Sequence, residues 1–242
     1  MKFRWAAQTD VGQKRRGNED CYALEPDLGL FLVADGMGGH AAGQVASDLA
    51  ARASVNAMRT LTDASVSLTE KLRVAVSAAN REIFEATQSK PELAGMGTTL
   101  VALLAAPERI ALAHVGDSRA YLVRGGKIRQ LTDDHSLVAE LVRRKEITET
   151  AARGHPHRHV LTRALGVRRS VEADFAELTP AAGDTFVLCS DGLTGHIQDA
   201  EIAEHAAAEA DLSRVVQGLV DEANARGGED NITLVVIRCD ED

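Results

Sequence analysis

Val33-Ala34-Asp35-Gly36-Met37-Gly38-Gly39-His40 follows directly on Leu30-Phe31-Leu32, so an apolar run of strand length delivers a carboxylate into a glycine-rich turn. Glycine lacks Cβ and adopts positive φ freely, which lets backbone carbonyls and amides crowd around whatever Asp35 holds. The stretch reads as a strand end built to bind an ion or a phosphate. Gly36-Met37-Gly38-Gly39-His40-Ala41 also satisfies, formally, the G-x-G-x-x-G/A dinucleotide fingerprint. That alternative fails for two reasons. A dinucleotide site needs a second strand ending in an acid about 20 residues on, whereas Val55-Asn56-Ala57-Met58 continues a helical pattern, and Asp35 would repel a pyrophosphate. No Gly-Lys-Ser/Thr is present either, which removes a nucleotide P-loop.

The same device recurs along the chain. Leu100 to Leu104 and Arg109 to Val115 read as paired strands, the second ending in Gly116-Asp117-Ser118-Arg119. Thr185 to Cys189 ends in Ser190-Asp191-Gly192, Glu229-Asp230-Asn231 opens a last strand to Cys239, and Asp20 precedes the short strand from Cys21 to Leu24. Alternation at Phe3, Trp5 and Ala7 gives a half-buried first strand, and strands are also expected at 120–123 and 171–178. Helical spacing of Val45, Leu49, Ala53, Ala57 and Leu61 predicts a helix over 41–61 with that face inward. Ser67-Leu68-Thr69-Glu70 is a capping box opening a second helix, with Leu68, Leu72, Val76, Ala79, Ile83 and Ala86 on one side. A short helix near 137–142 and longer ones near 199–207 and 212–225 follow, the last stopping at Gly227-Gly228. With no linker dividing residues 1–242, the expectation is a single α+β domain of two sheets sandwiched between helices.

Charge narrows the function. Lys and Arg number 27 against 36 Asp and Glu, a net −9, which argues against a nucleic-acid binder. Cys21, Cys189 and Cys239 are odd in number and widely spaced, the usage of reduced thiols in a cytoplasm. The apolar runs fall short of the roughly 18 residues of a membrane span, and the expectation is a cytoplasmic monomer with no membrane contact. Against the acidic background, 143–169 holds eight Lys or Arg and only Glu146 and Glu149 as acids. Alternating His155, His157 and His159 lack the Cys partners that usually close a zinc site, and His114 reads as a sheet histidine rather than a ligand.

Adjacent strands would bring Asp20, Asp35, Asp117, Asp191 and Asp230 together. Five crowded carboxylates cannot all stay ionised without compensating cations, and an oxygen donor set selects Mg²⁺ or Mn²⁺ over Zn²⁺. Arg15-x-x-Asn18-Glu19-Asp20, Asp35-Gly36-Met37-Gly38-Gly39-His40, Gly97-Thr98-Thr99, Gly116-Asp117-Ser118-Arg119, Ser190-Asp191-Gly192 and Asp230-Asn231 stand in that order. The series resembles the metal-dependent protein phosphatases of the PPM, or protein phosphatase 2C, type, in its bacterial Ser/Thr branch.

The resemblance implies a four-layer αββα sandwich of two antiparallel sheets flanked by helix pairs. It also implies hydrolysis of phosphoserine and phosphothreonine on proteins by a metal-activated water, with two or three Mn²⁺ or Mg²⁺ ions per chain. By motif, Asp35 would bridge two ions, the Gly36 carbonyl would reach one, and Asp191 with Asp230 would hold the other. Asp117 and Asp191 would hold a third ion. Glu19 and Asp20 would support the ions largely through water, Arg15 would bind phosphate, and 134–160 would form a flap. Eukaryotic members carry a His, a proposed leaving-group acid, where this chain has Met37, which leaves a metal-bound water or His40 as open alternatives. Phosphorylated proteins and an opposing bacterial Ser/Thr kinase are the implied partners. A noncatalytic phosphoprotein-binding module on the same fold is the rival, disfavoured because it would not need all five aspartates.

Overall fold

The computed structural model describes residues 1–39, 41–61, 63 and 65–241. Lys2–Asp10 (β1) and Ile232–Asp240 (β11) pair antiparallel along their whole length, from Lys2 opposite Asp240 to Asp10 opposite Ile232. Thr185–Cys189 (β10), Arg119–Arg124 (β7) and Lys127–Gln130 (β8) complete this first sheet in the order β1-β11-β10-β7-β8. Asp20–Glu25 (β2), Leu30–Met37 (β3), Leu100–Ala106 (β5), Arg109–Val115 (β6) and Asp174–Leu178 (β9) form the second, in the order β2-β3-β5-β6-β9. Gly97–Thr98 (β4) pairs with the end of β3.

Successive side chains of a strand point to opposite faces, and the central strands are apolar on both. In β3, Leu30, Leu32 and Ala34 meet the helices Ala41–Thr60 (α1) and Leu68–Ser89 (α2), while Phe31 and Val33 face the other sheet. In β11, Ile232, Leu234 and Val236 meet Leu212–Ala225 (α7), while Val235, Ile237 and Cys239 face inward. Asp199–Ala208 (α6) adds Ile202 to that outer layer. The result is the four-layer αββα sandwich, an α+β fold. Its middle seam is filled by residues such as Phe31 and Phe186, each fully burying a side chain at a gain of about 1.5–3 kcal/mol.

Two packing details depart from the sequence pattern. The inward face of α1 is Ala46, Ala50, Ala53, Ser54 and Met58, whereas Val45 and Leu49 are only partly buried on its flank. Small side chains let the helix sit close on the sheet, so the largest residues of the apolar stripe are pushed to its border. Trp5 is 40% exposed, with its ring 5.7 Å from that of Phe31, because β1 is an edge strand. The second helix starts as its capping box implies, with the Ser67 hydroxyl accepting from the Glu70 N–H.

Between β8 and β9 lie two short helices, Leu137–Arg143 (α3) and Glu149–Arg153 (α4). The excursion is laced at its base. Leu137 N–H donates to the Val160 carbonyl at 2.8 Å, Thr162 N–H to the His135 carbonyl at 2.8 Å, and Leu165 N–H to the Thr98 carbonyl at 2.8 Å. Among the described residues, no helix is long and apolar enough to cross a membrane.

Candidate active site

The five aspartates come from both sheets and meet at one end of the seam. Asp20 and Asp35 are direct cross-strand partners on β2 and β3. Asp117 lies in the turn between β6 and β7, Asp191 opens the one-turn helix Asp191–Thr194 (α5), and Asp230 precedes β11. One bond stitches the sheets together here: the Ser190 hydroxyl donates to Asp20 Oδ2 at 2.7 Å while accepting from Thr233 N–H at 3.1 Å.

The motif residues around them hold the backbone. Asp35 N–H donates to Thr99 Oγ1 at 2.9 Å, and Thr98 Oγ1 donates to the Asp35 carbonyl at 2.8 Å. Thr99 Oγ1 also meets Ser118 Oγ at 2.7 Å, coupling the Asp35 strand to the Asp117 turn. Asn231 accepts from Glu19 N–H at 2.8 Å and donates to the carbonyls of Val11 and Gly17, drawing the 10–19 loop onto the Asp230 turn.

Gly36 is required for space. Its φ is not positive, as those of Gly38 and Gly39 are, but a Cβ there would lie 2.1 Å from the Gly43 carbonyl oxygen and 2.6 Å from that of Glu19. Gly43 likewise leaves the notch in which the Glu19 carboxylate sits.

The electrostatics are those of bare, crowded carboxylates. Burial, only partly offset by bonds from Ser190 and Thr233, pushes Asp20 up to about 7. Burial and then the charges of Asp191 and Asp134 push Asp117 up to about 8. Burial and then Asp20, Asp191, Asp117 and Asp230 hold Asp35 well above the usual carboxylate range. Asp35 and Asp117 are half-buried. Arg15 supplies one countercharge, its Nη2 donating to Asp230 Oδ2 at 2.6 Å. His159 Nδ1 lies 3.9 Å from Asp191 Oδ2, and that carboxylate raises the imidazole above its ordinary value against the opposing effect of burial.

This donor set suits divalent cations: it is made of oxygens, it repels itself, and a carbonyl-lined notch without Cβ atoms adjoins it. Among the described residues no three of the five carboxylates offer oxygens within 4.8 Å of one another.

A tighter group, His114, His135 and Asp174, does converge within 4.8 Å. It is a closed hydrogen-bond network. His135 Nδ1 accepts from Gly116 N–H at 3.2 Å, which puts its proton on Nε2, 3.2 Å from Asp174 Oδ2. Arg163 Nη1 lies 2.9 Å from Asp174 Oδ1 and 3.3 Å from His135 Nε2, where a metal would have to sit. His114 stacks on His135 at 4.4 Å and bonds the Asp133 carbonyl through Nε2, a sheet histidine as its context implied.

Several contacts had no signal in the sequence. Arg119 grips Asp134 bidentately, at 2.9 and 2.7 Å, and so fixes the start of the 134–160 segment. Buried Asn80 of α2 accepts from Gly166 N–H and donates to the Arg168 and Arg169 carbonyls, fixing its far side. The Met37 methyl packs over Gly97 beside Val167. His40, one of the two open leaving-group acids, lies outside the described residues.

Comparison with known proteins bears on this geometry. Residues 14–231 match the family described as Protein phosphatase 2C. The chain belongs to the protein phosphatase 2C family. It is 41% identical over 238 residues to the serine/threonine phosphatase stp of Listeria monocytogenes, covering 96% of this chain and 94% of that one. The crystal structure of the Mycobacterium tuberculosis serine/threonine phosphatase PstP/Ppp superposes with a TM-score of 0.91 at 39% identity, covering 99% of each chain. A structure of the PstP catalytic domain in complex with two manganese ions superposes with a TM-score of 0.88 at 38% identity, again covering 99% of each. The αββα sandwich of this phosphatase 2C member is thus the fold of those enzymes.

Proposed function

We propose that this phosphatase 2C member is a metal-dependent protein serine/threonine phosphatase that works in the aspartate cleft. The observation that carries the reading is the convergence of five aspartates, three of them raised by burial and mutual repulsion, beside the Gly36 notch. Asp35, the Gly36 carbonyl, Asp191 and Asp230 would hold a pair of Mn²⁺ or Mg²⁺ ions, Asp117 with Asp191 a third, and Glu19 and Asp20 would orient their water. When bound, such ions reverse the local field for a phosphate dianion and acidify water for in-line attack.

The chain's own residues do the rest. Arg15 is paired to Asp230 through one nitrogen and keeps further guanidinium donors for phosphoryl oxygens. Met37 has no proton to give, so the leaving alkoxide takes its proton elsewhere in the cleft. The segment 134–160 acts as a flap whose basic face, including Arg144, Lys145 and Arg153, draws in acidic phosphoprotein surfaces. An opposing bacterial Ser/Thr kinase, a monomeric state and the cytoplasm complete the reading. Three free cysteines whose thiols burial pushes up to about 12 are in keeping with a reducing compartment.

Hydrolysis of an aryl phosphate and a phosphothreonine peptide tests the proposal. Turnover should require Mn²⁺ or Mg²⁺, vanish with chelator, and drop in Asp35→Asn by more than the roughly 10–100-fold that loss of an outer-sphere partner costs. Full turnover in metal-stripped buffer would refute it, and no turnover with any metal would favour the binding module.

A further inference from the structure

We propose that Arg15 serves Asp230 as an internal cation, so that an ion entering at Asp230 displaces the guanidinium and thereby frees it for phosphate. The inference rests on the metal reading above and gives Arg15 a second role, as a competitor of the ion.

Both oxygens of Asp230 already have donors. Oδ1 accepts the Asn231 N–H at 2.8 Å, and Oδ2 accepts Arg15 Nη2 at 2.6 Å. An ion at Asp230 either shares Oδ2 with the guanidinium or takes its place. Two cations on one oxygen repel each other, and 48% of the Arg15 side chain is exposed, so its charge is readily hydrated once it swings away. Displacement is therefore the lower-energy course. The crowded charges of the cleft are met in two different ways. Asp20, Asp35 and Asp117 hold their protons tightly, whereas Asp230 is, among the described residues, the one of the five that pairs with an arginine or lysine.

The exchange needs no movement of the backbone. Gln13 N–H donates to the Gly228 carbonyl at 2.8 Å, and the Asn231 amide donates to the carbonyls of Val11 and Gly17. Gly12, at φ +80°, lies so close to the Asp230 carbonyl that a Cβ would stand 2.2 Å from its oxygen. The 10–19 loop and the 228–231 turn are thus one piece, to which Arg15 adds a long, half-exposed side chain able to rotate. Linkage makes the effect reciprocal. Phosphate that takes the guanidinium raises the affinity of Asp230 for its ion by the factor by which the ion raises the affinity of Arg15 for phosphate.

The sign of a substitution separates this role from simple orientation. A residue that only orients a metal ligand is an outer-sphere partner, and its loss weakens metal binding roughly 10–100-fold. Loss of a competitor strengthens it. In a titration of the metal-free full chain with Mn²⁺, free ion being read by its EPR signal, Arg15→Gln should bind one ion roughly twofold to fivefold more tightly than wild type, the scale of an exposed ion pair. Arg15→Lys, which keeps the charge, should stay nearer wild type. In an Asp230→Asn background Arg15→Gln should change nothing. Inorganic phosphate should tighten Mn²⁺ binding more in wild type than in Arg15→Gln. Mn²⁺ binding that is unchanged or weaker in Arg15→Gln, a gain that persists beside Asp230→Asn, or an equal effect of phosphate on the two proteins overturns the proposal and leaves the metal reading standing. Failure of wild type to take up any Mn²⁺ overturns both.

Discussion

Stripped of divalent cations and taken from pH 5 to pH 8.5, this protein should lose conformational stability, and Asp117→Asn should recover part of the loss. Burial, then Asp191 and Asp134, hold the Asp117 carboxyl at about 8 against 3.8 for an ordinary aspartate. A raised folded value means that the native state keeps a proton the unfolded chain gives up. The associated stability is therefore fully present below about pH 3.8 and is lost as the pH climbs through about 8. Each factor of ten in proton affinity is worth about 1.4 kcal/mol, which bounds the Asp117 contribution near ~6 kcal/mol. Partial solvent access, and the relief that protonating Asp117 gives Asp191, reduce the working figure to about 2–3 kcal/mol. Asp20, pushed to about 7, adds a loss of the same sign. In urea, with a slope of about 2–3 kcal/mol/M, the Asn variant should unfold about 1 M later than wild type at pH 8.5, and the gap should shrink toward pH 5. Saturating Mn²⁺ should reverse the ranking, because wild type binds it more completely. A metal-free wild type whose midpoint is flat or rises across this range, or an Asn variant with no gain at pH 8.5, would refute the reasoning.

Arg15→Lys exchanges a planar fork for a point charge, so KM for a phosphopeptide should rise more than kcat falls, and steady-state kinetics with unchanged KM would remove Arg15 from the phosphate site. Gly36→Ala forces a methyl against two backbone carbonyls, and a loss of several kcal/mol in urea denaturation is expected; a loss under about 1 kcal/mol would mean the notch yields easily. Replacing Arg144, Lys145 and Arg153 by Glu should slow dephosphorylation of an acidic phosphoprotein, most at low salt, and leave aryl phosphate hydrolysis nearly unchanged. Arg143 is spared in that variant because its guanidinium donates to the Asp134 carbonyl at the base of the segment. Equal losses on both substrates would show that the segment acts in chemistry or folding rather than recognition.

The sandwich was legible because both faces of its central strands are buried. Runs such as Leu30 to Ala34 and Ile232 to Ile237 have no polar face, and the amphipathic pattern of α2 and α7 supplies the outer covers. The aspartates were legible because each stands in a short motif at a strand end. What stayed hidden depends on contacts between distant residues that leave no periodic trace. The pairs Arg119–Asp134 and His135–Asp174 span 15 and 39 positions, and nothing in either local stretch marks the partner. The inward face of α1 departs in part from the hydrophobic pattern for a related reason: hydrophobicity points to Val45 and Leu49, whereas close helix–sheet contact selects Ala46, Ala50 and Ala53, of which the spacing marks only Ala53. In the sequence His159 is one of three alternating loop histidines, and only the path of the segment between β8 and β9 brings its ring to 3.9 Å from Asp191.

The pairing of β1 with β11 has a practical corollary. The register sets Asp10 beside Ile232, next to Asp230 at the cleft, and Lys2 beside Asp240 at the opposite end of the same ladder. Eight steps along antiparallel strands separate the two ends by about 27 Å. A reporter, an affinity handle or a solid support joined at Lys2 or Asp240 would stand behind the molecule, with the cleft turned outward to solution. Immobilised copies should then turn over bulky phosphoproteins as freely as dissolved ones, which makes those two positions the natural attachment points for a phosphatase sensor.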